Sequence, residues 1–483
     1  MDAYTVEQVR ALEETAIAEQ GVDALMQRAA AGVASVGAEV VKTERGAVYG
    51  ARVLVLVGSG NNGGDALFAG ARLARRGAAV TAVSCLGDPH PAGRDALLAA
   101  GGRLVTLADH GPSAHPAYDL AIDGILGIGG RPGLSGPVAD VATWLAEQRI
   151  PVVAVDLPSG VAADTGAVPG VAIRARHTVT FGQPKPCHLL EPALGHCGRI
   201  TVVDIGLPKD SAIRPVLSGM DVAGLARAWP YPDATSDKYA RGVVGVDTGS
   251  DQYPGAAVMS TLGAVYGGAG MVRFQGAERP AKLIESQLPN VVFGPGRVQA
   301  YLFGSGWGDR PDGAEVLARA AAEGLPAVVD ADGLKYLPEP VPSGWLLTPH
   351  AGELANLLGR ERDWVSEDPI RAVRAGVDKT GTTVLLKGAS QLAAGPDEDL
   401  VRVAVPGPAW TAQAGSGDVL GGICAALLAA GKNALDAGQL AASLQATAAA
   451  AQPGVVPPQD LAQVIGLELG RLQQRADQLG AGG

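Results

Sequence analysis

Downstream of Arg52, short apolar runs alternate with longer stretches in which apolar positions recur at helical spacing. Val53-Leu54-Val55-Leu56-Val57, Ala79-Val80-Thr81-Ala82-Val83, Leu120-Ala121-Ile122-Asp123 and Val152-Val153-Ala154-Val155-Asp156 predict strands, and residues 66–76, 92–100 and 138–147 predict helices between them. Strands that are apolar throughout, rather than at every second position, are expected in a parallel sheet covered on both faces. An earlier helix is predicted over residues 5–19. It starts on Thr5, followed by Glu7 and Gln8, and carries Val9, Leu12 and Ile17 as an apolar stripe. Residues 178–181 and 199–204 are expected to close this region as antiparallel strands.

Regularity fades over residues 206–241, where Pro208, Pro215, Pro230 and Pro232 accompany a polar stretch at 233–238. A linker is therefore expected at 213–240, between domains at 1–212 and 241–476. The second half restarts with Val243-Val244-Gly245-Val246 and a helix after Pro254. Predicted strands at 298–303, 327–330, 345–347, 383–386 and 401–405 then alternate with helices, ending in an apolar helix after Asp418. The two halves share no order of motifs, so no internal duplication is expected.

With 483 residues, the chain exceeds what one hydrophobic core usually serves, and two α/β domains follow. The 38 Lys and Arg against 49 Asp and Glu leave a net charge of -11, which argues against a polyanion partner and assigns phosphate recognition to local donors. The N-terminus lacks the basic and apolar regions of a signal peptide, and the apolar run at 419–430 is too short to span a bilayer. A cytoplasmic protein with no membrane and no nucleic-acid partner is expected. The four cysteines do not make a disulfide scaffold. Cys187-His188 and His196-Cys197 flank an expected hairpin around residues 191–195, where ordinary strand positions are favoured over a zinc site.

Two glycine-rich segments, one in each half, end in aspartate and lead into helices. The first is Gly58-Ser59-Gly60-Asn61-Asn62-Gly63-Gly64-Asp65. Glycines at a helix start leave backbone N–H groups open to an anion, and adjacent amide and carboxylate oxygens suit a cation beside a phosphate. Asp65, Asp123 and Asp156 each follow a predicted strand, so they should converge on the carboxyl rim of one sheet.

Together with Asp123-Gly124-Ile125-Leu126-Gly127-Ile128-Gly129-Gly130-Arg131-Pro132-Gly133 and Asp156-Leu157-Pro158-Ser159-Gly160, this segment resembles the NAD(P)H-hydrate epimerase family over roughly the first two hundred residues. The resemblance implies a Rossmann-like three-layer domain with a potassium ion held by Asn62, Asp123 and Ser159. It also implies substrate contacts from Asn61, Asn62, Gly63, Gly64, Asp65, the segment Gly127 to Gly133 and Asp156. For proton transfer, Asp123 and Asp156 are the candidates. The chain departs from the family at Gln27-Arg28-Ala29-Ala30 and at Ala66.

The second segment, Ala414-Gly415-Ser416-Gly417-Asp418, suits phosphoryl transfer: its amides can form an anion hole, and its aspartate can activate a hydroxyl. It resembles the ribokinase-like superfamily and would by itself fit a small-molecule kinase equally well. Six further segments narrow that choice: Lys238-Tyr239-Ala240-Arg241-Gly242, Gly249-Ser250 with Tyr253-Pro254-Gly255-Ala256-Ala257, Gly304-Ser305-Gly306-Trp307-Gly308, Asp330-Ala331-Asp332-Gly333-Leu334, Thr348-Pro349-His350-Ala351-Gly352-Glu353 and Leu386-Lys387-Gly388. In this order they resemble ADP-dependent NAD(P)H-hydrate dehydratase, a ribokinase-like three-layer α/β domain. The resemblance implies substrate contacts at Ala256, Gly306, His350, Ala351, Gly352, Glu353, Leu354, Ala355, Asn356 and Asp418. Its ADP contacts fall at Lys387, Gly388, Ala389, Ser390 and Gln391 and at Pro408, Ala409, Trp410, Thr411, Ala412, Gln413, Ala414, Gly415, Ser416 and Gly417. Trp410, Ala351 and Gly304-Ser305 depart from the family's usual residues.

The chemistry so implied is repair of hydrated NADH and NADPH. The first domain would interconvert the epimers, and the second would dehydrate one of them with ADP as phosphoryl donor, accompanied by magnesium, Asp418 acting as base. The expected partners are these small molecules and further copies of the chain in a homo-oligomer. A vitamin-precursor kinase, or a binding protein without turnover, is the alternative the sequence leaves open.

Overall fold

The structure, a computed structural model, describes residues 1–108, 118–209 and 212–480, and the chain divides into two compact units, Asp2–Val216 and Leu217–Gly483. In the first unit the sheet runs in the order Arg103–Thr106, Ala79–Ser84, Arg52–Val57, Leu120–Gly124, Val152–Val155, His177–Phe181, Arg199–Val203. All six pairings are parallel.

Alternation along Arg52–Val57 divides the layers: Val53, Val55 and Val57 face the core beneath helices Val22–Arg45 and Asn61–Arg75, and Leu54 and Leu56 face the one beneath Gly136–Glu147. Both faces are covered, which is why the strand is apolar at successive positions. Strand order reverses direction at Arg52–Val57, whose two neighbours are Ala79–Ser84 and Leu120–Gly124. That reversal opens a crevice at the carboxyl ends of Arg52–Val57 and Leu120–Gly124, where ligands of such sheets bind.

Several expectations are corrected here. His177–Phe181 and Arg199–Val203 pair in parallel, not antiparallel. Residues 182–198 make a crossover rather than a hairpin, through the 3-10 turn Pro186–His188 and the one-turn helix Leu194–Cys197. Cys187, His188, His196 and Cys197 are therefore not cross-strand neighbours. The helix expected at 66–76 starts earlier and spans Asn61–Arg75, so the glycine-rich "loop" is largely its first turns. In the first helix, Val6–Gln20, Thr5 and Gln8 form the capping box. Ala16 is buried there in place of Ile17, which is 38% exposed.

In the second unit the sheet runs Leu217–Gly219, Val401–Val403, Leu392–Ala394, Thr383–Leu386, Leu346–Leu347, Ala327–Val329, Ala300–Phe303, Val243–Asp247, Met271–Phe274, Val292–Phe293. Pairing is parallel except on the two sides of Leu392–Ala394. Strand Leu217–Gly219 and helix Val222–Ala228, capped by Asp221, belong to this unit. Residues 213–240 are therefore only partly connecting chain, because a three-residue strand between prolines carries too little pattern to read. Met271–Phe274 follows a glycine-rich turn and was hidden in the same way.

One face of this sheet is covered by Pro254–Tyr266, Ser416–Ala429 and Ala434–Ala450, against which helix Pro458–Gly480 packs. Helices Pro254–Tyr266 and Ser416–Ala429 touch backbone to backbone. A methyl on Gly422 would lie 2.2 Å from the Ser260 carbonyl oxygen, and one on Gly263 would lie 2.1 Å from that of Val419. This close crossing fixes the start of Ser416–Ala429 against the sheet. On the other face, Gly376 of helix Pro369–Thr380 packs beside Val384 of the sheet and Leu354 of helix Ala351–Leu358.

Candidate functional sites

At the crevice of the first unit, Asn61, Asn62, Gly63, Gly64 and Asp65 form the opening of helix Asn61–Arg75, whose preceding Gly60 provides no side-chain cap. Gly63 has no alternative, since a methyl there would meet the Gly58 carbonyl oxygen at 2.2 Å. Asn62 packs its side-chain amide against Gly127, with Oδ1 3.1 Å from where a Gly127 methyl would sit. Its Nδ2, and Oδ1 of Asp65, are buried without a hydrogen-bond partner among the described residues.

Asp123, at the end of Leu120–Gly124, is fully buried and bound to the third motif. Ser159 N donates to its Oδ2 at 2.8 Å, and Ser159 Oγ donates to its Oδ1 at 2.6 Å. Burial pushes the Asp123 carboxyl up to about 6, opposed by the Ser159 and Ile125 hydrogen bonds. Ser159 Oγ accepts from Leu126 N at 2.9 Å, which holds the start of the Gly127-Ile128-Gly129-Gly130-Arg131-Pro132-Gly133 segment beside Asp123.

Asp156 follows Val152–Val155 with a left-handed φ of 68°, rare for a residue with a side chain. Its Oδ1 accepts from Thr180 Oγ1 at 3.0 Å and from the Lys185 ammonium, which also donates to Thr180 at 2.9 Å. Lys185 is 1% exposed. His188 braces the pair: its Nδ1 accepts from Lys185 N at 2.9 Å and its Nε2 donates to the Asp156 carbonyl at 3.0 Å. Burial, reinforced by the Lys185 charge, lowers the His188 pKa to about 4, so the ring is neutral. Asp65 is held well above the usual carboxylate range by burial, then by the charges of Asp156 and Glu13. Asp65 and Asp156, with Glu13 from the first helix, thus share one field.

The sequence alone did not mark Lys185, Thr180 or Glu13, and it placed His188 as a strand position or a zinc ligand rather than beside Asp156. The one available signal was Pro184-Lys185-Pro186, a lysine between two prolines following a buried strand. The ring nitrogen of His196 is taken by the Ile173 carbonyl at 2.9 Å. Among the described residues no group of three or more His, Cys, Asp and Glu side chains gathers as a metal site.

In the second unit, Gly415, with φ 95°, opens helix Ser416–Ala429 and has no capping side chain. The first-turn amides are thereby left facing the region of Asp418 and Lys387. A methyl on Gly417 would lie 3.4 Å from Lys387 Nζ. Asp330 is 1% exposed and gathers three donors: Ser305 Oγ at 2.9 Å, Thr348 Oγ1 at 2.8 Å and the Lys387 ammonium. Burial works against the Lys387 charge, yet Asp330 foremost, then Glu353, hold its pKa above the usual value. Burial and the charge of Asp330 push the Asp418 carboxyl up to about 6, against the pull of Lys387 and a hydrogen bond with Ser305.

His350 is the cap of Ala351–Leu358: its Nδ1 accepts from Gly352 N at 3.0 Å and Glu353 N at 3.1 Å, and Glu353 Oε2 accepts from His350 N at 2.7 Å. Its Nε2, on the exposed edge of the ring, lies 3.4 Å from Glu353 Oε1. Leu354 and Ala355 are buried on the inner face of this helix, whereas Asn356 is exposed. Ala256 and Gly306 are adjacent, since a methyl on Gly306 would lie 2.5 Å from Ala256 Cβ. Beside them Trp307 donates to the Asp247 carbonyl, and Arg310 forms a two-armed pair with the Asp247 carboxylate at 2.5 and 3.0 Å.

The segment Pro408 to Gly417 leads into the helix through the 3-10 turn Ala409–Thr411, with Trp410 exposed and held from below by Gln413. Two buried polar atoms in these segments, Gln391 Oε1 and Ser416 Oγ, have no hydrogen-bond partner among the described residues. Gly388 and Ala389 are exposed, beside partly exposed Ser390.

Residues 22–187 match the family described as YjeF-related protein N-terminus, and residues 244–466 match the family described as NAD(P)H-hydrate dehydratase. The bifunctional NAD(P)H-hydrate repair enzyme Nnr of Mycobacterium tuberculosis H37Rv is 44% identical over 453 residues, covering 91% of each chain. Its counterpart in Mycobacterium leprae is 42% identical over 475 residues, covering 94% of this chain and 96% of that one. A solved ADP/ATP-dependent NAD(P)H-hydrate dehydratase from Bacillus subtilis aligns with a TM-score of 0.49 at 22% identity, over 53% of this chain and 97% of its own.

Proposed function

The chain belongs to the bifunctional NAD(P)H-hydrate repair enzymes, and from that membership we propose that residues 1–212 carry the epimerase and residues 241–476 the ADP-dependent dehydratase. The observation that carries the dehydratase assignment is Asp418 at an uncapped helix start, beside a lysine held by a buried aspartate.

In the dehydratase, Asp418 accepts the proton of the ring hydroxyl as that oxygen attacks the β-phosphorus of ADP. The Gly415, Ser416 and Gly417 amides, with the Lys387 ammonium, stabilise the charge on the transferred group. AMP leaves, the ring nitrogen expels phosphate, and loss of a proton from the neighbouring ring carbon restores NAD(P)H. The partnerless Gln391 and Ser416 oxygens supply contacts for the nucleotide. Magnesium suits this site as an ion carried by the nucleotide, because Asp330 is already engaged by three donors and Glu353 by the His350 amide; it would neutralise phosphate charge.

Because Asp418 must be ionised to act as base, kcat/KM for dehydration falls about tenfold per unit as pH drops below its value of about 6. A profile flat down to pH about 5 would remove Asp418 from that role.

In the epimerase, inversion requires a bond at the hydroxyl-bearing carbon to open and re-form from the other face. Asp156 and Lys185 are the proton-exchanging pair, supported by their shared hydrogen bonds with Thr180. Asp123 is engaged by Ser159 and Ile125 and takes the other role, in the cation site. Asn62, Asp123 and Ser159 are all oxygen donors, which fits a hard cation such as potassium, and its charge would offset the buried Asp123 carboxylate. Epimer exchange without ADP, followed chromatographically, should be faster in potassium than in sodium, while a rate independent of the cation would remove the ion from this site.

A further inference from the structure

The first helix brings to the epimerase crevice an arginine that no motif marks. Helix Val6–Gln20 is anchored beside the catalytic segment: Tyr4 N donates to the Pro184 carbonyl at 2.9 Å, one residue before Lys185, and Val6 N donates to Asp164 Oδ1 at 2.8 Å. Val9, Leu12 and Ala16 bury one side of the helix. Arg10 and Glu13, three residues apart, share the adjoining side. Glu13 lies in the field of Asp156, Lys185 and Arg10. Arg10 reaches the glycine segment, with its Nη2 3.1 Å from where a methyl on Gly129 would sit. Among the described residues it makes no hydrogen bond or close ion pair.

Arg10 feels the charge of Glu13, but its guanidinium is not tied to it by a hydrogen bond or close ion pair among the described residues. Glu13, Asp65 and Asp156 lie at the crevice, and the buried cation there, Lys185, is held by Asp156. A dinucleotide entering such a crevice carries phosphate charges that Lys185, already held by Asp156, is not free to meet. The open donors available to those charges are the amides at the uncapped start of Asn61–Arg75 and a guanidinium fork whose planar geometry matches phosphate oxygens. Gly129 has no side chain to block the approach.

We propose that Arg10 binds a phosphate of the hydrated dinucleotide in the epimerase site, orienting the ring toward Asp156 and Lys185. This rests on the assignment of the first unit as the epimerase. Arg10 is exposed, so its replacement leaves the core intact.

The test uses the full chain without ADP, so that the dehydratase is idle, and follows exchange of separated epimers of NADH-hydrate and NADPH-hydrate. Arg10→Ala should raise KM about ten- to a hundredfold with little change in kcat, and Arg10→Lys should recover part of it. An equal rise with both substrates assigns the pyrophosphate, and a rise confined to NADPH-hydrate assigns the 2′-phosphate. Unchanged KM with both, or a fall in kcat alone, overturns the proposal. A wild-type chain that exchanges neither substrate would instead overturn the epimerase reading. Dehydration of the usable epimer, measured with ADP, should remain at the wild-type rate in both variants.

Discussion

Asp418→Ala lowers ADP-dependent dehydration by about 10²- to 10⁴-fold and leaves epimer exchange within a factor of about two. The loss is large because no neighbouring group can substitute. Asp330 already accepts from Ser305, Thr348 and Lys387, and Glu353 bonds back to the amide of His350. The effect should also fall on kcat more than on KM, since the proton moves only in the reacting complex. Asp418 is partly exposed in the first turn of its helix, so truncation leaves the Gly263–Gly422 crossing intact. Separated epimers, each incubated with and without ADP, provide both readouts in one preparation. Equal loss of the two activities would contradict a two-site enzyme.

Lys185→Met is expected to have the second largest effect, on stability and on epimerisation together. It removes the cation from a pair whose side chains are 1% and 9% exposed, leaving the Asp156 carboxylate buried without it. Breaking such a pair from one side costs about 3–5 kcal/mol, seen as a lower unfolding temperature of the first unit. Epimer exchange should fall about a hundredfold or more with the loss of a proton-exchanging group.

Pairing this variant with Asp156→Asn separates the two consequences. Asparagine tolerates the left-handed backbone at position 156, so the double variant carries neither an uncompensated charge nor a strained substitution. Stability should largely return and activity should not. Recovery of both, or wild-type exchange in Lys185→Met, would make the pair structural only.

The layers were legible because a sheet covered on both faces demands continuous apolar strands. Val53 to Val57 supplies both cores at once. The rim was legible because strand ends locate ligands, and Asp65, Asp123 and Asp156 do converge there. The glycine-rich stretch misled in one respect: Gly63 looks like a loop residue, but it is glycine because the helix start packs on the Gly58 carbonyl.

What could not be read was whatever only the tertiary fold assembles. Lys185 reaches Asp156 across the crossover that follows His177–Phe181, and Arg10 and Glu13 arrive from a helix whose sequence signals only an amphipathic surface. Direction of the last strand was hidden for the same reason, since its parallel pairing depends on what residues 182–198 do between strands. His350 carries two demands in one residue, capping its helix while presenting one ring edge outward.

The central claim is that two sites in one chain act in sequence on one damaged cofactor. Its most direct test is recovery of reduced-nicotinamide absorbance from a mixture of both NADH-hydrate epimers, with ADP, with ATP and with no nucleotide. Complete recovery with ADP, matched mole for mole by AMP and phosphate, at a rate exceeding spontaneous epimer exchange, is the predicted result. Recovery that stops when one epimer is consumed would contradict the epimerase, and a phosphorylated product that persists would contradict the dehydratase.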